Sequence, residues 1–364
     1  MIKILLVLFS LTFFLPQPTF AQTQLPTTYE RATVNQIIND GETTVGGTKN
    51  LFQRVKLTLL TGDMKGKVIE ITHGDQMLLS PSQKVRDGET VILQYIGDKP
   101  RIIEKYRTPW IVGFILLFFT VIFLLTGKKG LGAIAGMAIS LGVILFFVVP
   151  QILSGADPLL ISILGSVFIL FTSIYLAHGF SKPTHVAIGA TCISLFATAL
   201  LAISAVALFR LSGLGSEDAY SLQQGFSRVI NFQGLLLGGI IIGTLGALDD
   251  VTTTQTTTIF ELHHTDTRLS VSQLYQKGMT IGKEHIASLV NTLILAYAGA
   301  SIGIFIFLIM GIQNNVQPLW VMLNSELLTE EIIRSIVGSL GIVIAVPITT
   351  ILAALFATYE IRIK

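Results

Sequence analysis

The residues that could do chemistry sit at the end of one apolar run, GLLLGGIIIGTLGALDDV, from Gly234 to Val251. It ends in two acids, Asp249 and Asp250, and a carboxylate at the edge of a membrane span can bind a cation or relay protons. Gly239, Gly243, Gly246 and Asp250 recur at i, i+4, i+7 and i+11, which on a helix makes one stripe leading to the acid. Small residues let a second helix approach closely, so this stripe is expected to bury against a neighbouring span. Six threonines and no charge follow within Val251 to Phe260. If that stretch is helical, Asp250, Thr254, Thr257 and Glu261 share a face, and the hydroxyls can act as ligands or satisfy backbone groups. Two geometries are open. Either the helix ends at Leu248 and a threonine-rich interfacial helix follows, or the run to Phe260 dips or breaks within the membrane and sets both aspartates at depth. Burying a charge costs about 2.5–3.5 kcal/mol, which favours the first.

A second polar set begins at Gly282-Lys283-Glu284-His285. Beyond it Glu284, Ser288, Asn291 and Thr292 gather on one side of a helix with Gly299, and Gly299 and Gly303 form a small-xxx-small pair. If the two segments pack together, Asp249, Asp250 and Glu284 form an acidic cluster with Asn291 and Thr254 nearby. Crowded like charges favour one acid holding a proton or sharing a cation. Alternatively Lys283 and His285 neutralise the acids, and the cluster only anchors helix ends. The candidate substrate- or ion-binding set is therefore Asp249, Asp250, Thr254, Glu261, Glu284, His285 and Asn291.

Other chemistry is poorly supported. His263-His264-Thr265-Asp266 reads as a solvated polar loop, and His178 and His185 bracket a short turn without a ligand partner. Asp249 and Asp250 are adjacent on one helix and do not make an acid dyad by themselves. There is no Walker A motif, no nucleophile elbow and no H-E-x-x-H, and no motif names a metal or cofactor. The lone Cys192 excludes an intramolecular disulfide framework.

The elements that position these residues follow from composition. Of 364 residues, 51% are hydrophobic and 13% charged, against roughly 25% charged in soluble proteins. The mean hydropathy is +0.71, so lipid must cover part of the surface. A net charge of +2 gives no footing for nucleic acid. Seven apolar runs of spanning length lie near 109–126, 130–150, 159–178, 185–209, 232–248, 286–310 and 335–358. Residues 1–21, with Lys3, an apolar core and Thr19-Phe20-Ala21, read as a signal peptide, with an uncleaved anchor as the alternative. Residues 22–108 form an exported β-rich domain. Period-2 sets at Val55, Leu57, Leu59 and at Val91, Leu93, Tyr95, with turn pairs at short intervals, predict a small barrel, OB-like in type. Residues 109–364 are the helical membrane domain. Its Lys- and Arg-bearing loops place the C-terminus in the cytoplasm, consistent with an exported N-terminal domain. The bilayer is the expected partner, and a homo-oligomer or related membrane partner is left open.

The stretch GLLLGGIIIGTLGALDDVTTTQTTTIFEL, followed by LYQKGMTIGKEHIASLVNTLILAYAGAS, resembles the YibE/F family of bacterial membrane proteins. Where that family typically reads Gly-Arg-Asp-His, this chain has Gly282-Lys283-Glu284-His285, with charge preserved. The resemblance implies a multi-spanning plasma-membrane protein and names no substrate or reaction. A transporter or permease of unknown substrate, coupled to protons or cations, is the first functional expectation. A sensor or assembly module using the exported domain is the second. An intramembrane hydrolase is the third.

Overall fold

The computed structural model describes residues 27–359 apart from 46–47, 76–77, 98, 227–229 and 315. The expected signal peptide therefore lies outside the described residues. The chain divides into two compact units, with the division at Ile122/Phe123.

The N-terminal unit is one antiparallel five-stranded sheet of order β3-β2-β1-β4-β5. Its strands are β1 (Thr27–Val45), β2 (Thr48–Leu59), β3 (Val68–His73), β4 (Thr90–Ile96) and β5 (Lys99–Lys105). The long β1 serves both halves, pairing with β4 over Thr27 to Thr33 and with β2 from Ala32 onward. It can bend between those tasks because the β1–β2 ladder has bulges between Val34 and Gln36 and between Ile37 and Asn39. The edge strands β3 and β5 come into contact, so the sheet curls into the partly open barrel expected of an OB-like domain. Both period-2 sets point inward: Val55, Leu57, Leu59, Val91, Leu93 and Tyr95 are all buried.

The second unit is helical. A first helix, α1 (Thr108–Thr126), runs across the division and has no buried residue. Then follow α2 (Gly130–Leu153), α3 (Pro158–His178), α4 (Lys182–Phe209), the short α5 (Glu217–Phe226) and α6 (Phe232–Thr265). The chain continues through α7 (Val271–Ala300), α8 (Ile302–Gln313), α9 (Leu319–Leu323) and α10 (Glu326–Tyr359). Six of these are long and apolar enough to cross a membrane, or seven if α7 and α8, bent by 65° at Ser301, count as one broken span. Ser301 lies between Gly299 and Gly303, the small residues at which helices commonly kink. In α2 a π-helical turn at Ile144–Val148 precedes Pro150, whose missing N–H disturbs the ladder. Capping side chains open the helices: Asp157 accepts from Leu160 N at 2.8 Å and Asn231 from Gly234 N at 3.1 Å, while Ser270 and Gln273 form a capping box.

The helix expected to end at Leu248 does not end there. α6 is one unbroken helix of 34 residues, about 51 Å long at 1.5 Å per residue. No glycine or proline interrupts it after Gly246. Several of its threonines bond within the helix: Thr253 donates to Asp249 O, Thr257 to Thr253 O and Thr258 to Thr254 O, each at 2.8 Å. α6 is also the hub of the bundle, packed against α3, α4, α7 and α10.

Candidate functional site

Each face of α6 has a different neighbour, so the roughly 100° between successive residues decides what each side chain meets. Asp249, near the middle of the helix, turns toward α3. Its Oδ2 accepts from Ser173 Oγ at 3.4 Å, and its Oδ1 is buried with no protein partner. Asp250 points to the exposed side, within electrostatic reach of His178 at the end of α3. Beyond the aspartates a cleft of about 170 Å³ opens between the α3–α4 turn and α6, lined by His178, Thr184, Thr253, Thr257 and Glu261 among others. It brings polar groups to within a turn of Asp250.

The next face of α6 is a buried polar row. Thr252, Gln255 and Thr256 are fully buried. Thr252 meets Thr191 of α4, oxygen to oxygen at 2.5 Å. Gln255 Nε2 donates to Gly278 O of α7 and to Thr350 Oγ1 of α10, both at 2.8 Å. Glycines on α7 make this possible. A Cβ at Gly278 would collide with Ile259 and Thr350, and one at Gly282 with Val346.

Several expectations are corrected by this placement. The glycine stripe faces outward: Gly239, Gly243 and Gly246 are exposed, and a Cβ on Gly239 or Gly246 would meet nothing within 4 Å. Only Gly243 approaches another helix, with Tyr297 Oη of α7 3.3 Å from where its Cβ would be. Gly299 and Gly303 are likewise open. The reason is geometric: α7 contacts α6 through its own Gly278 and Gly282, about six helical turns before Gly299 and Gly303. The acidic cluster does not form. Glu284 and Asn291 are exposed on α7, His285 is partly buried, and no hydrogen bond or ion pair among the described residues joins Glu284 to either aspartate. Among the described residues no three His, Cys, Asp or Glu side chains come together as a metal site. Asp250, Thr254, Thr257 and Glu261 do share one face, and it is exposed. His263, expected in a solvated loop, is instead buried in the last turns of α6.

Sequence reasoning missed Ser173, Gln255, Thr191 and Thr350. Gln255 carried a signal, as the single amide within a run of threonines. Ser173 carried none, since one serine in an apolar span has no pattern.

A set of long apolar helices packed around a polar-cored hub, following a small β domain, defines an integral membrane protein. Residues 114–359 match the family described as YibE/F-like protein, and the chain belongs to that family. Neither a curated protein nor a solved structure matches it.

Proposed function

We propose that this protein is a transporter or permease coupled to protons or cations, with Asp249 at the centre of the coupling. The observation that carries the reading is a carboxylate halfway along a 34-residue helix, with one oxygen buried and unpartnered. An ionisable group at such a depth is costly to keep, and in membrane proteins it marks an ion or proton path. The polar cleft lined by His178, Thr257 and Glu261 supplies an approach from one end of the helix. Asp250, on the wet side, would collect cations or protons, and Asp249 would carry them. The reading places the protein in the bacterial plasma membrane, the β domain outside and the C-terminus in the cytoplasm, as the basic loops imply.

The test is reconstitution in proteoliposomes loaded with a pH-sensitive dye, under an imposed sodium gradient or membrane potential. Proton movement above that of protein-free vesicles is expected. Absence of proton movement and of sodium flux under every imposed gradient would remove the proposal.

A further inference from the structure

The end of α6 has a second polar feature, roughly 21 Å along the helix from Asp249. His263 is only 6% exposed, and both its ring nitrogens are buried without a hydrogen-bond partner among the described residues. Neutral or protonated, the ring carries a hydrogen on at least one of them, and a buried donor left unmade is unfavourable. His263 also forms part of the wall of a cavity of about 610 Å³, within the size range of small-ligand sites. The turn at Thr267, the first turn of α7 at 270–272 and the end of α10 at Thr358 line the same cavity.

What the cavity can hold follows from which of its groups are already used. A helix leaves its first N–H groups without partners inside it. At α7 the capping box answers two of them: Ser270 N donates to Gln273 Oε1 at 2.9 Å, and Gln273 N to Ser270 Oγ at 3.3 Å. Val271 and Ser272 supply the next two, and neither N–H has an acceptor among the described residues. The hydroxyls divide in the same way. Ser270 gives its hydrogen to Gln273 Oε1 at 3.1 Å and Thr358 to Ala354 O at 3.0 Å, whereas those of Thr267 and Ser272 remain to donate. The lining holds no acid. Nearby Asp266 is paired with Arg268 at 3.2 Å and lies within electrostatic reach of Lys277. The carbonyls that end α6 and would favour a cation are partly occupied: Leu262 O accepts from Asp266 N at 3.1 Å and Glu261 O from Thr265 Oγ1 at 2.9 Å. The unused groups are therefore donors, gathered at the positive end of a 30-residue helix.

We propose that this cavity binds a phosphate-class oxyanion, held by the first-turn N–H groups of α7, the hydroxyls of Thr267 and Ser272, and the ring of His263. Donors that come from α6, α7 and the turn between them suit a ligand with several acceptor oxygens, and a helix N-terminus is a ready anion site. Free phosphate, a phosphomonoester in solution and a lipid headgroup all offer that chemistry. Binding is read without flux, so the site stands or falls separately from transport.

The experiment is thermal unfolding of the intact protein in two arms. In detergent, inorganic phosphate is titrated against chloride at constant pH and ionic strength. In nanodiscs, phosphatidylcholine bilayers with and without phosphatidic acid are compared. Occupancy should raise Tm saturably, by about 4 °C at roughly a hundred times the Kd. Phosphate also stabilises proteins by exclusion from their surface, but that effect does not saturate and is equal in every variant. Two variants locate the response. His263→Phe keeps an aromatic ring and removes both unpartnered nitrogens, so its Tm in chloride should match or exceed the wild type. Ser272→Asp places a carboxylate in the first turn of α7, which favours the helix and repels an anion. Both should lose most of the saturable rise, and Ser272→Asp keeps the test decisive if His263→Phe fails to fold. A response to inorganic phosphate assigns a soluble ligand, and a response to phosphatidic acid alone assigns a headgroup. No saturable response in either arm would overturn the proposal. So would a rise of unchanged size in Ser272→Asp.

Discussion

Asp249 and Asp250 have the same chemistry and differ by one step of a helix. That step turns Asp249 to Ser173 and into the bundle, and Asp250 outward toward the reach of His178. Their substitutions should separate accordingly. Asp249→Asn is expected to keep or raise Tm, because it removes a charge whose Oδ1 has no protein partner. Asp250→Asn should leave Tm within about 1 °C of the wild type, as surface substitutions do. Scanning fluorimetry on the purified variants checks both, and a large loss of stability in Asp249→Asn would mean that the carboxylate holds the helices together. The sequence makes both acids visible and cannot tell them apart. Its residues define the angle between the two, but which neighbour lies at each angle depends on α3, which is distant along the chain.

At the scale of elements, the glycines that matter are those with backbone or branched side chains pressed against them. Gly278→Leu and Gly282→Leu should each destabilise the protein by about 1–3 kcal/mol or more, because they force α7 away from Ile259, Thr350 and Val346. Gly239→Ala and Gly246→Ala should be neutral or stabilising by up to about 1 kcal/mol, because they meet open space on a helix. Unfolding of the four variants in one detergent ranks them, and equal losses at all four positions would contradict the placement. The pattern Gly-xxx-Gly is the same at Gly278/Gly282 as at Gly239/Gly243, so spacing alone could not choose between them. The apolar runs and the alternation of Val55, Leu57 and Leu59 were legible because burial repeats with the period of the element. The length of α6 was not, since threonines that bond their own helix look in sequence like threonines that break one.

The β domain has its own pH response. His73 is buried in β3 with Nε2 3.4 Å from Gln83 O, and burial lowers its pKa below the ordinary 6.5. The unfolded chain therefore binds the proton more readily. Stability is full above about pH 6.5 and declines as pH falls through the lowered folded value. Protection factors of β2 and β3 amides in the intact chain, taken relative to the intrinsic exchange rate at each pH, should fall between pH 7 and pH 5, and His73→Phe should flatten that change. A change of equal size in His73→Phe would assign it to other groups.

Over the whole molecule, a small β domain precedes a helical membrane unit whose hub is α6, and the proposed orientation puts the β domain outside. Orientation can be read with single cysteines in a Cys192→Ser background. A cysteine at Ser216 should react with an impermeant maleimide in intact cells, and one at Ser181 only after permeabilisation. The opposite pattern would invert the topology. The central claim is that the buried acid of α6 carries the coupling, and it is tested most directly by comparing the two neighbouring acids in proteoliposomes. Asp249→Asn should lower gradient-driven proton movement about tenfold or more, while Asp250→Asn retains most of it. Unchanged flux and unchanged pH dependence in Asp249→Asn, in a protein that folds and inserts normally, would contradict the account.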